Sequence, residues 1–291
     1  MTITSVPGVS VGHWSDHEAM TGCTVIVPPS PNVTAVEIRG GAPGTREVAL
    51  LAPGMAVEEI HAILLTGGSA FGLAAADGVI SELEAAGIGY PTMFGKVPIV
   101  PSVVMYDLGV GQSSVRPDAE SGRAAYRSRS SDPVVAGRVG AGTGATVAKW
   151  RGPETGRPAG LASVSLPCGE ATVGVLVVLN AVGDVVDLDG TPITGTGPDV
   201  SRTPDPDAHT PFANTTLAVV ATDASFSRSE LGRLAIRCQD ALAAVLRPSH
   251  TRYDGDAAFV VSCGSVPADL DFAMEVVFAA TAQAIVQAAQ V

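Results

Sequence analysis

Seven short apolar runs punctuated by Gly and Pro constrain this chain more than any other feature. They are Cys23–Val27, Thr34–Ile38, Ala62–Leu65, Val97–Met105, Thr172–Leu179, Leu217–Ala221 and Ala257–Val261. Each is too brief for a core helix and rich in Val, Ile or Leu, which predicts buried strands. The run Thr172–Leu179 continues through Asn180-Ala181-Val182-Gly183-Asp184 into Val185-Val186-Asp187, a pattern that predicts a hairpin with a Gly-containing turn. Three helices accompany the strands. Leu73, Ala76, Ile80 and Leu83 form a stripe from about Ser69, which the spacing assigns as an N-cap. Ser227-Arg228-Ser229-Glu230 is a capping box ahead of Leu231, Leu234, Ala235, Cys238, Leu242 and Val245. The third helix, from about 268 to 290, is apolar nearly all round, which predicts burial between layers. Strands and helices mix without regular alternation, so the expected class is a layered α+β sandwich rather than a doubly wound sheet.

The 291 residues are 46% hydrophobic and 16% charged, enough apolar material for one extended domain. A formal net charge of −12, with no run of Lys or Arg, disfavours nucleic acid and anionic lipid as partners. Cys23, Cys168, Cys238 and Cys263 are scattered without a C-x-x-C pair, the pattern of buried reduced thiols. Met1 to Gly12 shows no basic region followed by an apolar one, and Phe272 to Val286 is too short to span a bilayer. A soluble, cytoplasmic protein is the expectation.

Three motifs offer chemistry that their surroundings do not support. Gly140-Ala141-Gly142-Thr143-Gly144-Ala145 fits a dinucleotide fingerprint, but Arg151-Gly152-Pro153 stops the helix that must follow it. Gly67-Gly68-Ser69-Ala70-Phe71 resembles a nucleophile elbow with Phe71 where Gly is required. His209 and His250 stand in the right order to serve Ser69, yet His209 falls in a loop-like stretch. His13, Asp16, His17 and Glu18 lack a further well-placed donor for a metal. No cofactor and no metal are expected.

Residues 189–213 differ from everything around them: rich in Gly, Pro, Asp and Thr, with almost no apolar periodicity. That composition predicts an exposed, mobile segment, longer than most structural loops. It ends at Asn214-Thr215-Thr216-Leu217, where a buried strand begins. A mobile tether meeting a core strand at a Thr is the arrangement self-cleavage needs. The Thr215 hydroxyl would attack the Asn214 carbonyl, and the freed α-amine, with an ordinary pKa of roughly 8, would then serve as base. Strand alternation sends Thr216 to the other face. Asp254 and Asp256 share a face if extended, and fit either a carboxylate pair that holds an ammonium or an ordinary Asp-Gly turn. Asn180 ends an apolar strand, so its amide must bond something, an oxyanion being one candidate. Lys149 is either a site cation or a surface lysine.

With these residues in view, the chain resembles the DmpA-like family (peptidase family S58/P1) of self-processing N-terminal nucleophile hydrolases. The resemblance runs along nearly the whole chain. It is carried by Pro7-Gly8-Val9-Ser10-Val11-Gly12-His13, Arg39-Gly40-Gly41-Ala42-Pro43-Gly44-Thr45-Arg46, Leu65-Thr66-Gly67-Gly68-Ser69-Ala70-Phe71-Gly72-Leu73, the Gly140 to Ala145 run, Asn214-Thr215-Thr216-Leu217 and Tyr253-Asp254-Gly255-Asp256. It implies a four-layer α-β-β-α sandwich and cleavage into chains 1–214 and 215–291. It also implies assembly of the processed heterodimers into homotetramers or larger. It maps the nucleophile to Thr215, the acidic partners to Asp254 and Asp256, the oxyanion amide to Asn180, and further active-site contacts to Lys149 and Tyr106. Family aminopeptidases tend to carry a Ser nucleophile, with Ser and Glu where Asp254 and Asp256 stand. The Thr and two-Asp version resembles the branch of nylon-oligomer and pantetheine-amide hydrolases, which implies small amide or peptide substrates. Two alternatives stay open: an acetyltransferase of the ornithine acetyltransferase type, and an unprocessed scaffold without activity.

Overall fold

A computed structural model describes residues 1–198 and 214–291. Ten strands build two five-stranded sheets. In chain order they are β1 (Ser10–Asp16), β2 (Thr21–Val27), β3 (Val33–Ile38), β4 (Thr45–Arg46), β5 (Ile63–Thr66), β6 (Ser102–Val104), β7 (Leu161–Cys168), β8 (Ala171–Asn180), β9 (Thr215–Ala224) and β10 (Ala257–Val266). The first sheet runs β1-β2-β5-β6-β4 and the second β7-β8-β9-β10-β3. The helices are α1 (Ala75–Ala85), α2 (Ala119–Arg127), α3 (Arg228–Val245) and α4 (Leu270–Ala288).

Side-chain alternation stacks these elements into four layers. Cys23, Val25 and Leu64 face α1 and α2 with Ala75, Val79 and Leu83. Ile26, Ile63, Leu65 and Val103 turn the other way and meet Leu176, Val178, Leu217, Val219, Phe259 and Val261 of the second sheet. The far face of that sheet, with Val175, Val177, Ala218, Val220 and Val260, packs under Leu234, Cys238 and Leu242 of α3 and Val277, Ala280 and Ile285 of α4. The order is therefore α-β-β-α, as the resemblance implies. The capping box of α3 forms as expected, with Ser227 and Glu230 satisfying each other's backbone N–H.

Three expectations need correction. The strand expected over Val97–Met105 is broken: Pro98 and Pro101 confine the sheet pairing to Ser102–Val104. No hairpin follows Asn180. Asp184–Val185 instead pairs with Leu246–Arg247, and the partners of β8 are β7 and β9. Helix α4 is not sandwiched between layers: it is itself an outer layer beside α3, with Phe272 exposed. By length and composition alone α4 could cross a membrane, but one side of it is committed to the sheet and to α3.

The segment expected to be mobile is tied down where it is described. Ile193 and Thr194 donate N–H bonds to the carbonyl of Val185, and Gly197 donates to Asp184. Asp184 is fully buried and also binds the Arg151 guanidinium through both carboxylate oxygens. The rest of the segment, 199–213, lies outside the described residues.

Candidate active site

Strand β9 begins in the middle of the second sheet, so its first residues have a partner on either side. On one side Thr215 pairs with Asn180 at the end of β8. On the other, Asn214 runs parallel to Asp254, its N–H bound to the Tyr253 carbonyl and its own carbonyl to the Gly255 N–H, both at 2.9 Å. Leu217 and Val219 point between the sheets, so alternation sends Thr215 the same way and Thr216 toward α3. The same count from Leu176 and Val178 sends Asn180 between the sheets. Register thus sets Asn180 and Thr215 side by side between the sheets, while Ala257, which also faces between the sheets, leaves Asp256 on the α3 side beside Thr216.

The Thr215 hydroxyl lies against the bond that self-cleavage would open. It donates to the Asn214 carbonyl oxygen at 2.5 Å, and that oxygen also accepts the Gly255 N–H. Thr215 is only 3% exposed while joined to Asn214.

Asn180 is fully buried and its oxygen is committed. Oδ1 accepts the Thr146 N–H at 3.0 Å and the Lys149 ammonium at 3.1 Å. Nδ2 donates one hydrogen to the Tyr106 carbonyl at 3.0 Å. Its second hydrogen has no acceptor among the described residues, which leaves one donor for an oxyanion.

Both acids gather around the turn at His250 and Thr251. Asp254 Oδ2 accepts the Thr251 N–H at 2.7 Å. Asp256 Oδ1 accepts the Thr216 N–H at 2.6 Å, and its Oδ2 lies 2.8 Å from Nδ1 of His250. Burial, together with the charge of Asp256, pushes the Asp254 carboxyl up to about 6. For His250, burial works downward, but the Asp256 carboxylate outweighs it and holds the imidazole above its ordinary value.

Lys149 follows Ala148, which is held at φ 65°, a left-handed conformation that is uncommon for a non-glycine residue and typical of positions under functional constraint. Burial lowers its ammonium to about 7, against the opposing pull of Asp254. A pocket of about 320 Å³ opens beside it, lined by Tyr106, Gly109, Val110, Thr146, Lys149, Pro153 and Gly156. Thr215 is not among the lining residues.

The glycine-rich motifs brace this site. Gly40, at φ 90°, lets the segment 39–42 lie directly on the acid turn, where a Cβ would sit 2.2 Å from the Asp254 carbonyl. Arg39, Gly41 and Ala42 donate their N–H groups to the carbonyls of Asp256, Thr251 and Asp254. Gly140, at φ 54°, leaves room for Thr24 and His13, and a 3-10 turn rather than a helix follows it. Buried Asp107 accepts the Thr21 hydroxyl and the Gly68 N–H, which fixes the 67–72 turn beside Tyr106.

Ser69 does not cap a helix as expected. Gly68, left-handed, takes the cap position without a side-chain bond, and Ser69 itself is at φ 53° at the start of a 3-10 turn. The His13 ring bonds Thr24 at 3.0 Å, and Asp16 accepts the N–H groups of Glu18 and Ala19. No cluster of three or more His, Cys, Asp or Glu suited to a metal occurs among the described residues.

Thr146, His250, Thr251, Asp107 and Gln239 escaped the sequence reading as site residues. Each acts through hydrogen bonds set by the fold, and none stands at a spacing that signals it; the sequence offers His250 only as a partner for Ser69.

Comparison with known proteins gives the family and the fold. A model of Peptidase family S58 matches residues 1–290. An uncharacterized aminopeptidase of Mycobacterium leprae (strain TN) is 43% identical over 294 residues, 92% of this chain and 80% of that protein. A 6-aminohexanoate-oligomer endohydrolase of Agromyces sp. (strain KY5R) is 34% identical over 278 residues, 89% of this chain and 74% of that one. Among solved structures, the L-aminopeptidase D-Ala-esterase/amidase of Ochrobactrum anthropi, described as a variant of the Ntn hydrolase fold, has a TM-score of 0.77 at 20% identity. That likeness covers 99% of this chain and 85% of the other, and at such identity it speaks to the fold. The chain belongs to peptidase family S58 and is a hydrolase of peptide or amide bonds.

Proposed function

We propose that this hydrolase cuts itself between Asn214 and Thr215, and that the freed Thr215 then attacks small amide or peptide substrates. The observation that carries the reading is the Thr215 hydroxyl at 2.5 Å from the Asn214 carbonyl oxygen, at the head of a central strand. In the first step a bond forms between Oγ1 and the carbonyl carbon, the hydroxyl proton passes to the Thr215 nitrogen, and the C–N bond breaks. Water opens the resulting ester and leaves an Asn214 carboxylate and a Thr215 α-amine. The Gly255 N–H, already on the scissile carbonyl oxygen, would steady the negative charge there.

In the second reaction the α-amine takes the Thr215 hydroxyl proton as Oγ1 attacks the substrate carbonyl. The uncommitted Nδ2 hydrogen of Asn180 faces the oxyanion, and the leaving amine takes the proton. Water then releases the acyl group. Lys149 keeps the oxygen side of Asn180 turned away from the substrate, and Tyr106 lines the adjoining pocket. Two Asp residues and a Thr nucleophile favour an amidase of the oligomer-hydrolase kind over an aminopeptidase. The work is done within one domain of processed chains 1–214 and 215–291. Assembly into a homotetramer or larger in the cytoplasm is part of the same reading, and the exposed Met93, Phe94 and Phe272 supply apolar surface for it.

Denaturing mass spectrometry tests the proposal. The 29.3 kDa chain should resolve into pieces of about 21 and about 8 kDa. Thr215→Ala should fold, stay in one piece and be inactive, whereas Thr216→Ala should still cleave. A fully active preparation made only of intact chain would sink it. Screening p-nitroanilides, short β-peptides and aminohexanoate oligomers against the processed enzyme would identify the acyl group.

A further inference from the structure

The two carboxylates of the Tyr253-Asp254-Gly255-Asp256 turn are not equivalent. Asp256 is saturated: Oδ1 takes the Thr216 N–H, and Oδ2 takes both the main-chain N–H of His250 at 3.3 Å and its ring Nδ1 at 2.8 Å. Asp254 is held less fully: its donors are the N–H of Thr251 on Oδ2 and the Thr251 side chain.

His250 in turn meets only acceptors. Its Nε2 lies 3.2 Å from the main-chain carbonyl of Gln239, which cannot donate, so Nε2 must carry a hydrogen. Its Nδ1 meets a carboxylate that already accepts two main-chain N–H groups, an arrangement that favours the ionised acid. Nδ1 must then carry a hydrogen too, and the ring is an imidazolium. The residue holds this position at φ 53°, a left-handed conformation uncommon for a residue other than glycine.

We propose that His250 is a positioning residue: its imidazolium keeps Asp256 a carboxylate that fixes the Thr216 amide, which leaves Asp254, facing Lys149, as the carboxylate of the pair free to exchange protons. The proposal rests on the reading of Thr215 as nucleophile. The other charged groups facing the pair are Asp254 and Arg39, and Arg39 is itself paired with Glu37 and Asp240. Gln239 of α3 adds a neutral amide, whose Nε2 binds the Glu37 carbonyl.

Two variants separate positioning from proton exchange. In Asp256→Asn the amide oxygen still accepts the Thr216 N–H, and its nitrogen can donate to Nδ1 of a now neutral His250. The charge of Asp256 raises Asp254 more than that of His250 lowers it, so losing both should ease Asp254 toward its ordinary value. Cleavage and kcat should fall roughly 10-fold, while the acid limb of the pH–rate profile persists and moves to lower pH. In His250→Gln the Asp256 charge loses its partner and raises Asp254, so the acid limb should move to higher pH by about one unit. Asp254→Asn should remove that limb.

Nitrogen-15 NMR of histidine provides a readout independent of catalysis. In intact Thr215→Ala protein at pH 7.5, the signal lost in the His250→Gln derivative should be an imidazolium, and Asp256→Asn should turn it into the neutral Nε2–H tautomer. A neutral His250 at that pH overturns the proposal, as does loss of the acid limb in Asp256→Asn. If His250→Gln does not fold, assignment through Asp256→Asn and the two Asp profiles still decide. A chain that never cleaves would defeat the nucleophile reading while leaving the NMR result standing, so the two failures are distinguishable.

Discussion

Lys149 shows how a single residue here is kept against its electrostatic interest. Its ammonium ionises near pH 7 in the folded protein instead of near 10.5, because burial removes more stabilisation than Asp254 returns. Between those two values the unfolded chain binds a proton that the native state does not, so this group costs stability progressively as pH falls from 10.5 to 7. Below 7 the cost is constant. Lys149→Met should therefore be more stable than its parent, with the largest difference at pH 7 and below and none above pH 10.5. Part of the side chain faces the open pocket, so the expected gain is discounted to the order of 2 kcal/mol. Thermal melts across pH in a Thr215→Ala background, where both proteins stay one chain, would measure it. A destabilised Lys149→Met would mean that the ammonium's bonds to Asn180 outweigh its desolvation. The same substitution in the active chain should sharply lower turnover, because Asn180 Oδ1 loses a partner that orients the amide. Position at a strand entrance and the family resemblance, rather than residue identity alone, singled out Thr215, Asn180 and the two Asp residues as candidates in the sequence. The proton inventory around them was not legible there, since it depends on which acceptor faces which nitrogen of His250.

At the scale of elements, the acid turn owes its place to the strip of chain at Arg39-Gly40-Gly41-Ala42 lying against it. Gly40 and Gly54 share a left-handed conformation, at φ 90° and 84°, but only Gly40 has backbone within reach of a Cβ. Gly54→Ala should cost about 1 kcal/mol of backbone strain and leave cleavage alone. Gly40→Ala carries the same strain and also pushes Asp254 and Gly255 away from Asn214. Its self-cleavage, followed by intact mass over time, should slow roughly 10-fold or more. Equal cleavage rates in the two variants would show that the turn is held by other means. The elements themselves were unevenly legible. Central strands such as β8, β9 and β10 bury both faces and read as continuous apolar runs. The outermost strands β1 and β7 went unread, because an edge tolerates the polar residues of Ser10–Asp16 and the Ser163, Ser165 and Pro167 of Leu161–Cys168. The false hairpin after Asn180 has a similar cause. Asp184–Val185 carries strand-like residues, but buried Asp184 is committed to Arg151 and Gly197, which draws the ribbon toward Leu246–Arg247 instead.

For the whole molecule, the proposed cut falls at a place where the chain can be severed without dividing the fold. The downstream piece of 77 residues brings β9, β10, α3 and α4. Its two strands are interior to the second sheet: β9 pairs with β8 over eight positions, and β10 pairs with β3. Leu217, Val219, Phe259 and Val261 from this piece fill the core between the sheets against Ile26, Ile63 and Leu65 from the other. Each such buried side chain contributes about 1.5 to 3 kcal/mol, so parting the two pieces would cost far more than one broken peptide bond removes. The processed chains should therefore elute together under native conditions, and separate only with denaturant. Once separated, the 77-residue piece should not refold alone, because β9 would present an unpaired edge where β8 had been and an apolar face without its sheet. The informative comparison is circular dichroism of the isolated piece against the remixed pair after removal of denaturant. Return of strand signal and amidase activity only on remixing is the expected result. A folded, monomeric small chain would show that the second sheet is organised without β7 and β8, contrary to the register described above.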